Sequence, residues 1–571
     1  MRKALFLSLI LALLITLVPT ISLAAENDYI VSPYDVGTFG GTLVTSTLGD
    51  PKTFNLLIAN ETSSTDHLYD FVFEPLTDYD AHTAEVVGIL AKSWEFSDDG
   101  LVWTFHLRKG VKWHDGEEFT ADDVVFTYDL IYDESITTSR RSSMTIDGKQ
   151  IKYRKIDDYT VEFTLPSPYA PFLIQVGYIY PKHALYDAWK AGDYMTTWGI
   201  DTDPTKIIGT GPYPLAQYRP GERLIHLRNN LYWNINRDGK NLPYITRWVK
   251  QIVESLDTQM LKFEAGETHW VTIKNEDYAR MKAGEQAGNY KLYNLGPAWG
   301  SNFVTFNQNP NAPHMNPDDP KFKWFTDINF RKAVAHAVDK QTIVDQVYAG
   351  LATPQWSPVS LPNKFYINEN VHKYEYDLDK AMAYLEKSGF YKEDGVLYDK
   401  DGNKVGFTLS TNAGNTQREA IGNIITHDLQ KLGMDVKFRP IEFNKLVNQL
   451  MSEFDWDAIL IGLTGSLEIA SGKNVWQSDG PLHMWYPFQE EPATEWEAEI
   501  DRLFDEGASY PDPAKRKEVY DKWQMIVTNQ LPLIYTVTPH TVVAIRNTLK
   551  NIDPTVIGGV DHNIEALYFD R

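Results

Sequence analysis

Between residues 91 and 133 the side chains alternate so regularly that few local structures can accommodate them. Trp94 and Phe96 lie two apart, Asp98, Asp99 and Gly100 supply a turn, and Trp103, Phe105 and Leu107 then put three apolar groups on one face of a strand. After a second turn over 114–116 the period becomes helical. Thr120 is placed to cap this helix, Asp123 stands at its third position in an acidic variant of the capping box, and Val124, Tyr128 and Ile131 continue one buried stripe. A further strand over 160–165 carries Val161, Phe163 and Leu165 at period two until Pro166 and Pro168 stop it.

Similar signals recur along the chain. A strand is expected over 41–47, before the turn Gly49, Asp50, Pro51, and a helix from Ser64 towards Phe73 with Leu68 and Val72 on one face. Residues 208–213 form a Gly-rich bend, which lacks the Lys followed by Ser or Thr that a phosphate loop requires. A strand over 224–227 and a helix from Asp257, ending at Gly266, come next. A strand over 303–307 precedes a Pro-punctuated loop, and a helix from Asp327 carries Phe330, Val334, Ala337 and Val338. Strand 407–411, helix 418–432, strand 436–440 and strand 458–461 make an α/β unit. Asp512 and Pro513 are an N-cap and first helical residue, and a strand follows over 533–538. With no repeat, low-complexity tract or Ser/Gly linker, any domains must be built from interleaved segments.

The N-terminus reads as an export signal: Arg2 and Lys3, an apolar run over 4–19, then Ser22, Ala24 and Ala25 before polar Glu26. The alternative is a retained N-terminal anchor. No later apolar run is long enough to span a bilayer. The chain contains no cysteine, which excludes disulfides and a thioether-linked lipid anchor. It has 54 Lys plus Arg against 77 Asp plus Glu, a formal net charge of -23, which disfavours nucleic acid and anionic membranes as partners.

Ala91 to Trp94, the turn over 98–100, Trp103 to Phe105 and the run from Leu107 to Gly116 closely resemble the signature of the bacterial extracellular solute-binding family 5, which serves dipeptide and oligopeptide ABC importers and includes some nickel and oligosaccharide binders. Phe119 to Val124, Gly209 to Tyr213, Phe330 to Ala333 and Asp339-Lys340 extend the resemblance over the mature chain. It implies an α/β, periplasmic-binding-protein-like fold of two lobes with an inserted domain and a hinge-closed ligand cleft. By that analogy 1–25 is the signal peptide, 26–75, 208–300 and 539–571 form the first lobe, 76–207 the inserted second domain and 301–538 the opposing lobe. The implied protein is a monomer in the periplasm or on the extracellular face, without a lipobox cysteine, handing an oligopeptide or oligosaccharide to a membrane permease.

Peptide-binding members of the family receive the peptide ammonium on an acidic residue after a strand of the second large lobe. The matching position here is Ser466, with Glu468 the next carboxylate. A hydroxyl cannot neutralise an ammonium, so either Glu468 substitutes or the ligand is held with little dependence on such a terminus. Aromatic candidates for the cleft are Trp299, Trp356, Trp476, Trp485 and Tyr486, and Asn307 offers a polar contact after its strand.

Enzymatic chemistry is not expected. HExxH, the Gly-x-Ser-x-Gly elbow and any thiol are missing, and Ser64, His67 and Asp70 at three-residue spacing fit one helix face better than a triad. His114 and Asp115 read as turn residues, and neither metal nor cofactor is expected. An exported adhesion protein fits the composition but leaves the family pattern unexplained. N-terminal sequencing of the exported protein should return a start at Ala25 or Glu26, and retention of residues 1–24 would reject the export signal as a cleaved one.

Overall fold

The computed structural model describes residues 28–59, 62–313 and 315–570, so the expected export segment lies outside the described residues. Four larger sheets carry the chain. In the first, Thr42–Thr47 runs parallel to Arg247–Ile252, which pairs antiparallel with Arg223–Leu227, followed by Leu215–Arg219. In the second, Val537–Arg546 lies between Trp270–Thr272 and Tyr290–Pro297, and Ala352–Pro354 pairs with its N-terminal end.

The third sheet is mixed, in the order Asp435–Ile441, Gly406–Asn412, Ala458–Leu463, Ser301–Phe306, Leu533–Tyr535. Its parallel outer pair is joined by the helix Thr416–Lys431, the crossover that parallel strands require. The fourth, antiparallel sheet orders Ala91–Phe96, Val102–Leu107, Thr160–Thr164 and Lys152–Asp157. The helix Ala121–Tyr132 packs on it through Val124, Tyr128 and Ile131 with the capping box in place: Thr120 N–H donates to Asp123 Oδ2 at 2.9 Å.

The chain crosses between the second and third sheets twice, from Tyr290–Pro297 into Ser301–Phe306 and from Leu533–Tyr535 into Val537–Arg546. The single strand expected over 533–538 is therefore divided, because Thr536 N–H turns to the Asn302 carbonyl at 2.9 Å while the residues on either side join different sheets. Buried Gln355 ties the crossings together. Its amide donates to Ser301 Oγ and to the Ser357 carbonyl, both at 2.9 Å, and accepts from Thr538 Oγ1 at 2.9 Å.

One expected element is absent. Instead of a helix from Ser64 to Phe73 there is a single helical turn, Thr62–Thr65, followed by tight turns. Two features break the helix: Ser64 Oγ accepts the Lys52 N–H at 2.9 Å, and Asp70 adopts a left-handed φ of 61°. His67 is fully buried with neither ring nitrogen hydrogen-bonded, which rules out the base of a triad. The Gly-rich bend also has a structural cause. A Cβ at Gly209 would lie 1.7 Å from the Val72 carbonyl oxygen, and the His114 ring accepts the Gly209 N–H at 3.0 Å while donating to the Gly211 carbonyl at 2.9 Å.

His67 and His226 give this region a defined response to acid. Burial, then the neighbouring Lys250, lowers His67 to about 2 and His226 to about 3. An unfolded histidine titrates near ~6.5, so below that pH the unfolded chain takes up protons that the native chain refuses, and stability falls as pH falls. The loss is about 1.4 kcal/mol per pH unit for each histidine. His226→Asn keeps a donor for the Tyr213 carbonyl, 3.1 Å from Nδ1, and should lose less stability than wild type between pH 6.5 and 5 in urea titrations. Equal slopes would show that His226 already titrates normally in the fold.

Candidate functional site

A cavity of about 610 Å³ lies between the lobes. One wall comes from Asp70 to Glu74, from Tyr232 to Asn234 and from the C-terminal loop that carries Asp561 and Glu565. The hairpin of Thr77–Tyr79 and Val86–Gly88 contributes Asp78 and Asp80 at its edge. Opposite stands the loop Thr464 to Leu467, which follows the strand Ala458–Leu463, with Trp299 at the first crossing. That loop is pinned: Gly465 N–H donates to the Trp299 carbonyl at 3.1 Å and the Asn363 amide donates to the Leu467 carbonyl at 2.9 Å. Gly465 tolerates no side chain, since a Cβ would sit 1.6 Å from Ser360 Oγ. On the other side of the loop is a second cavity of about 360 Å³, bordered by Ser466, Glu468, Trp476 and Tyr535.

Six carboxylates border the larger cavity, and among the described residues neither Lys nor Arg does. Burial pushes Asp70 well above the usual carboxylate range, with Asp78 adding to the effect, although Asp70 stays open to solvent through the cleft. Burial likewise raises Asp78 and Glu74, and pushes Glu565 up to about 7. Glu74 keeps both oxygens satisfied by Tyr232 Oη and Trp233 Nε1, each at 3.0 Å. Cations stand behind the wall: Lys250 donates to the Asp66 carbonyl at 2.6 Å beneath the Phe71 ring, and Arg108 lies 5.2 Å from the Trp233 ring centre. The wall therefore presents carboxylates to whatever occupies the cleft, several of them made to titrate high chiefly by burial.

A family model described as bacterial extracellular solute-binding proteins, family 5 Middle, matches residues 85–475. The chain belongs to this family. The protein named "Probable ABC transporter-binding protein" of Deinococcus radiodurans is 30% identical to this family 5 protein, covering 91% of this chain and 90% of that one. The oligopeptide-binding protein AppA of Bacillus subtilis is 28% identical over 90% of this chain and 88% of its own. The structure of AppA in complex with a nonapeptide superposes with a TM-score of 0.75 at 26% identity, covering 94% of this chain and 100% of that one. The two-lobed α/β fold is thus the periplasmic-binding-protein-like fold that the sequence implied, and the family is one of substrate-binding proteins, not enzymes.

Within the family 5 fold the residues singled out from sequence separate into groups. Trp299 and Ser466 border the large cavity, and Ser466 also borders the smaller one with Glu468 and Trp476. Trp299 is half-buried, its Nε1 donating to the Val556 carbonyl at 2.6 Å. Four others lie outside both cavities, for physical reasons. Asn307 is fully buried and donates to the Phe454 and Trp456 carbonyls, both at 3.0 Å. Trp485 is a core ring whose Nε1 donates to Glu497 Oε1 at 2.9 Å. Tyr486 packs on that core and accepts from the Asn311 amide at 3.0 Å, and Trp356 lies under Lys340 Nζ, 3.7 Å from its ring centre.

Glu468 is committed elsewhere as well. It is buried, ion-paired with Arg516, and accepts the Ala470 N–H at 2.9 Å as the cap of the turn Ile469–Gly472. An ammonium would have to displace a buried guanidinium to reach it. What sequence reasoning missed is the acidic wall, because its carboxylates come from separate stretches of chain that carry no common motif. Removing one partner of a buried pair leaves an uncompensated charge, so Arg516→Met should destabilise by about 3–5 kcal/mol, and Glu468→Gln with Arg516→Met should recover much of that. Urea titration of both proteins measures it, and a double variant no better than the single would show that the pair is not coupled.

Proposed function

We propose that this chain is the extracytoplasmic substrate-binding component of an ABC importer, and that its solute is an oligopeptide whose cationic groups face the acidic wall of the cleft. One observation carries the reading: six carboxylates border a single cavity that no Lys or Arg enters among the described residues. Asp70, Asp78 and Asp561 are candidate partners for an α-ammonium or a basic side chain, on the wall opposite Ser466. Trp299, half-buried at the first crossing, offers ring surface to the extended backbone between such groups. Family membership and the peptide-binding B. subtilis relative support a peptide and delivery to a membrane permease. Closure is a rigid-body equilibrium about the two crossings, biased by a ligand that touches both walls, and the closed form is what a permease would recognise.

An oligosaccharide is the competing solute, since carboxylates also accept hydrogen bonds from sugar hydroxyls and the Trp299 ring can stack on a sugar face. An uncharged sugar would leave the crowded negative charge unrelieved, whereas a cation relieves it. Mass spectrometry of ligand extracted from freshly purified protein should return peptides containing Lys or Arg. In calorimetry, acetylating the N-terminus of such a peptide, or Asp70→Asn with Asp561→Asn, should weaken binding at least about tenfold, or 1.4 kcal/mol. A cation binds the ionised acids better, so affinity should fall as pH is lowered from 8 to 6 through the titration of Glu565 at about 7. Extraction of sugars, or affinity indifferent to acetylation, salt and pH, would reject the cationic peptide.

A further inference from the structure

At the edge of the cleft, three residues far apart in sequence converge. His82 stands on the turn between Thr77–Tyr79 and Val86–Gly88, while Asp553 and His562 belong to the C-terminal loop. One donor atom from each, an imidazole nitrogen or a carboxylate oxygen, lies within 4.8 Å of the others. We propose that His82, Asp553 and His562 form a binding site for one divalent transition-metal ion.

Each ligand is held from outside the cluster. His82 Nε2 stands 3.0 Å from Asp553 Oδ2, and its turn is fixed by Asp80 Oδ1, which accepts the His82 and Thr83 N–H groups at 2.9 and 2.8 Å. Asp553 Oδ2 also accepts from Tyr34 Oη at 3.0 Å. His562 Nε2 lies 2.7 Å from the Asp553 carbonyl, which can only accept, so this nitrogen carries the proton and Nδ1 keeps its lone pair for a metal. Gly558 lets the loop close on the ring, since a Cβ there would lie 2.7 Å from both Ala81 Cβ and His562 Cβ. The loop is braced by reciprocal Thr555 and Gly559 backbone hydrogen bonds, both 3.0 Å.

The spacing suits an ion held at about 2.0–2.2 Å by nitrogen and oxygen, which sets neighbouring ligand atoms roughly 3–3.5 Å apart. The His82 and Asp553 atoms already meet that separation. The rest of the closure falls to the His82 side chain, which is 49% exposed. Two imidazoles with one carboxylate select zinc, nickel or copper over magnesium and calcium, and three protein ligands leave a position open to water or to a donor group of a solute. His562 borders the cleft beside Asp80 and Asp561, so the ion would sit in the negative field of that wall and bind the hairpin to the C-terminal loop.

The test uses the full mature chain, stripped with a chelator and free of added peptide, so that its outcome is independent of the solute. Titration with ZnCl2 should give saturable binding of one ion per chain and a rise in melting temperature that MgCl2 does not reproduce. His82→Ala and His562→Ala should each weaken zinc binding at least tenfold, and X-ray absorption of the 1:1 complex should report two imidazole ligands. His82 is on an exposed turn, so His82→Ala and His82→Gln carry the test if His562→Ala does not fold. Absence of saturable binding, an equal response to magnesium, or undiminished zinc affinity in the His82 variants would overturn the proposal.

Discussion

Everything about the cleft depends on two extended crossings between the second and third sheets. Because Tyr290–Pro297 continues into Ser301–Phe306 and Leu533–Tyr535 into Val537–Arg546, the two lobes are joined through the ends of their strands. Extended backbone changes direction through a few φ and ψ angles, while the packed sheets on either side resist deformation. The Gln355 amide, bonded to Ser301 and Thr538, holds the crossings side by side, so that rotation at one is felt at the other.

The acidic wall is costly to the empty protein and useful to the loaded one. Burial raises Asp70, Asp78 and Glu565, with neighbouring carboxylates adding to it for Asp70 and Glu565, which means their ionised forms are less stable in the fold than in water. On the proposed reading, a bound cation would return that energy as affinity. Much of the acidity of the composition is ordinary solvated surface, and the functional charge is the part concentrated where Lys250 and Arg108 are kept behind aromatic rings.

How much was legible in the sequence followed the range of the interactions. The Trp103 strand, the Thr120 and Asp123 capping box and the helix begun at Asp512 are set by neighbours within a few residues, and each appears in the fold. The helix over 64–73 failed because Ser64 is engaged by Lys52 and Thr53, outside the segment itself. Among the site candidates, Trp485 and Asn307 were plausible because a loop aromatic or a strand-end amide looks the same whether it faces a cleft or a core. Only the partners Glu497, Phe454 and Trp456 distinguish them. The wall itself depends on chain crossings that no local pattern encodes.

The loop from Thr464 to Leu467 separates two cavities while touching both, and Gly465 lets it pass against the Trp299 backbone without a side chain. It acts as a partition wall in a shared room. Lengthening or shifting those few residues would enlarge one compartment at the expense of the other and leave both lobes, their crossings and their charge intact. The size of the compartments and the charge of the wall are therefore written in different parts of the chain, and one can drift without the other.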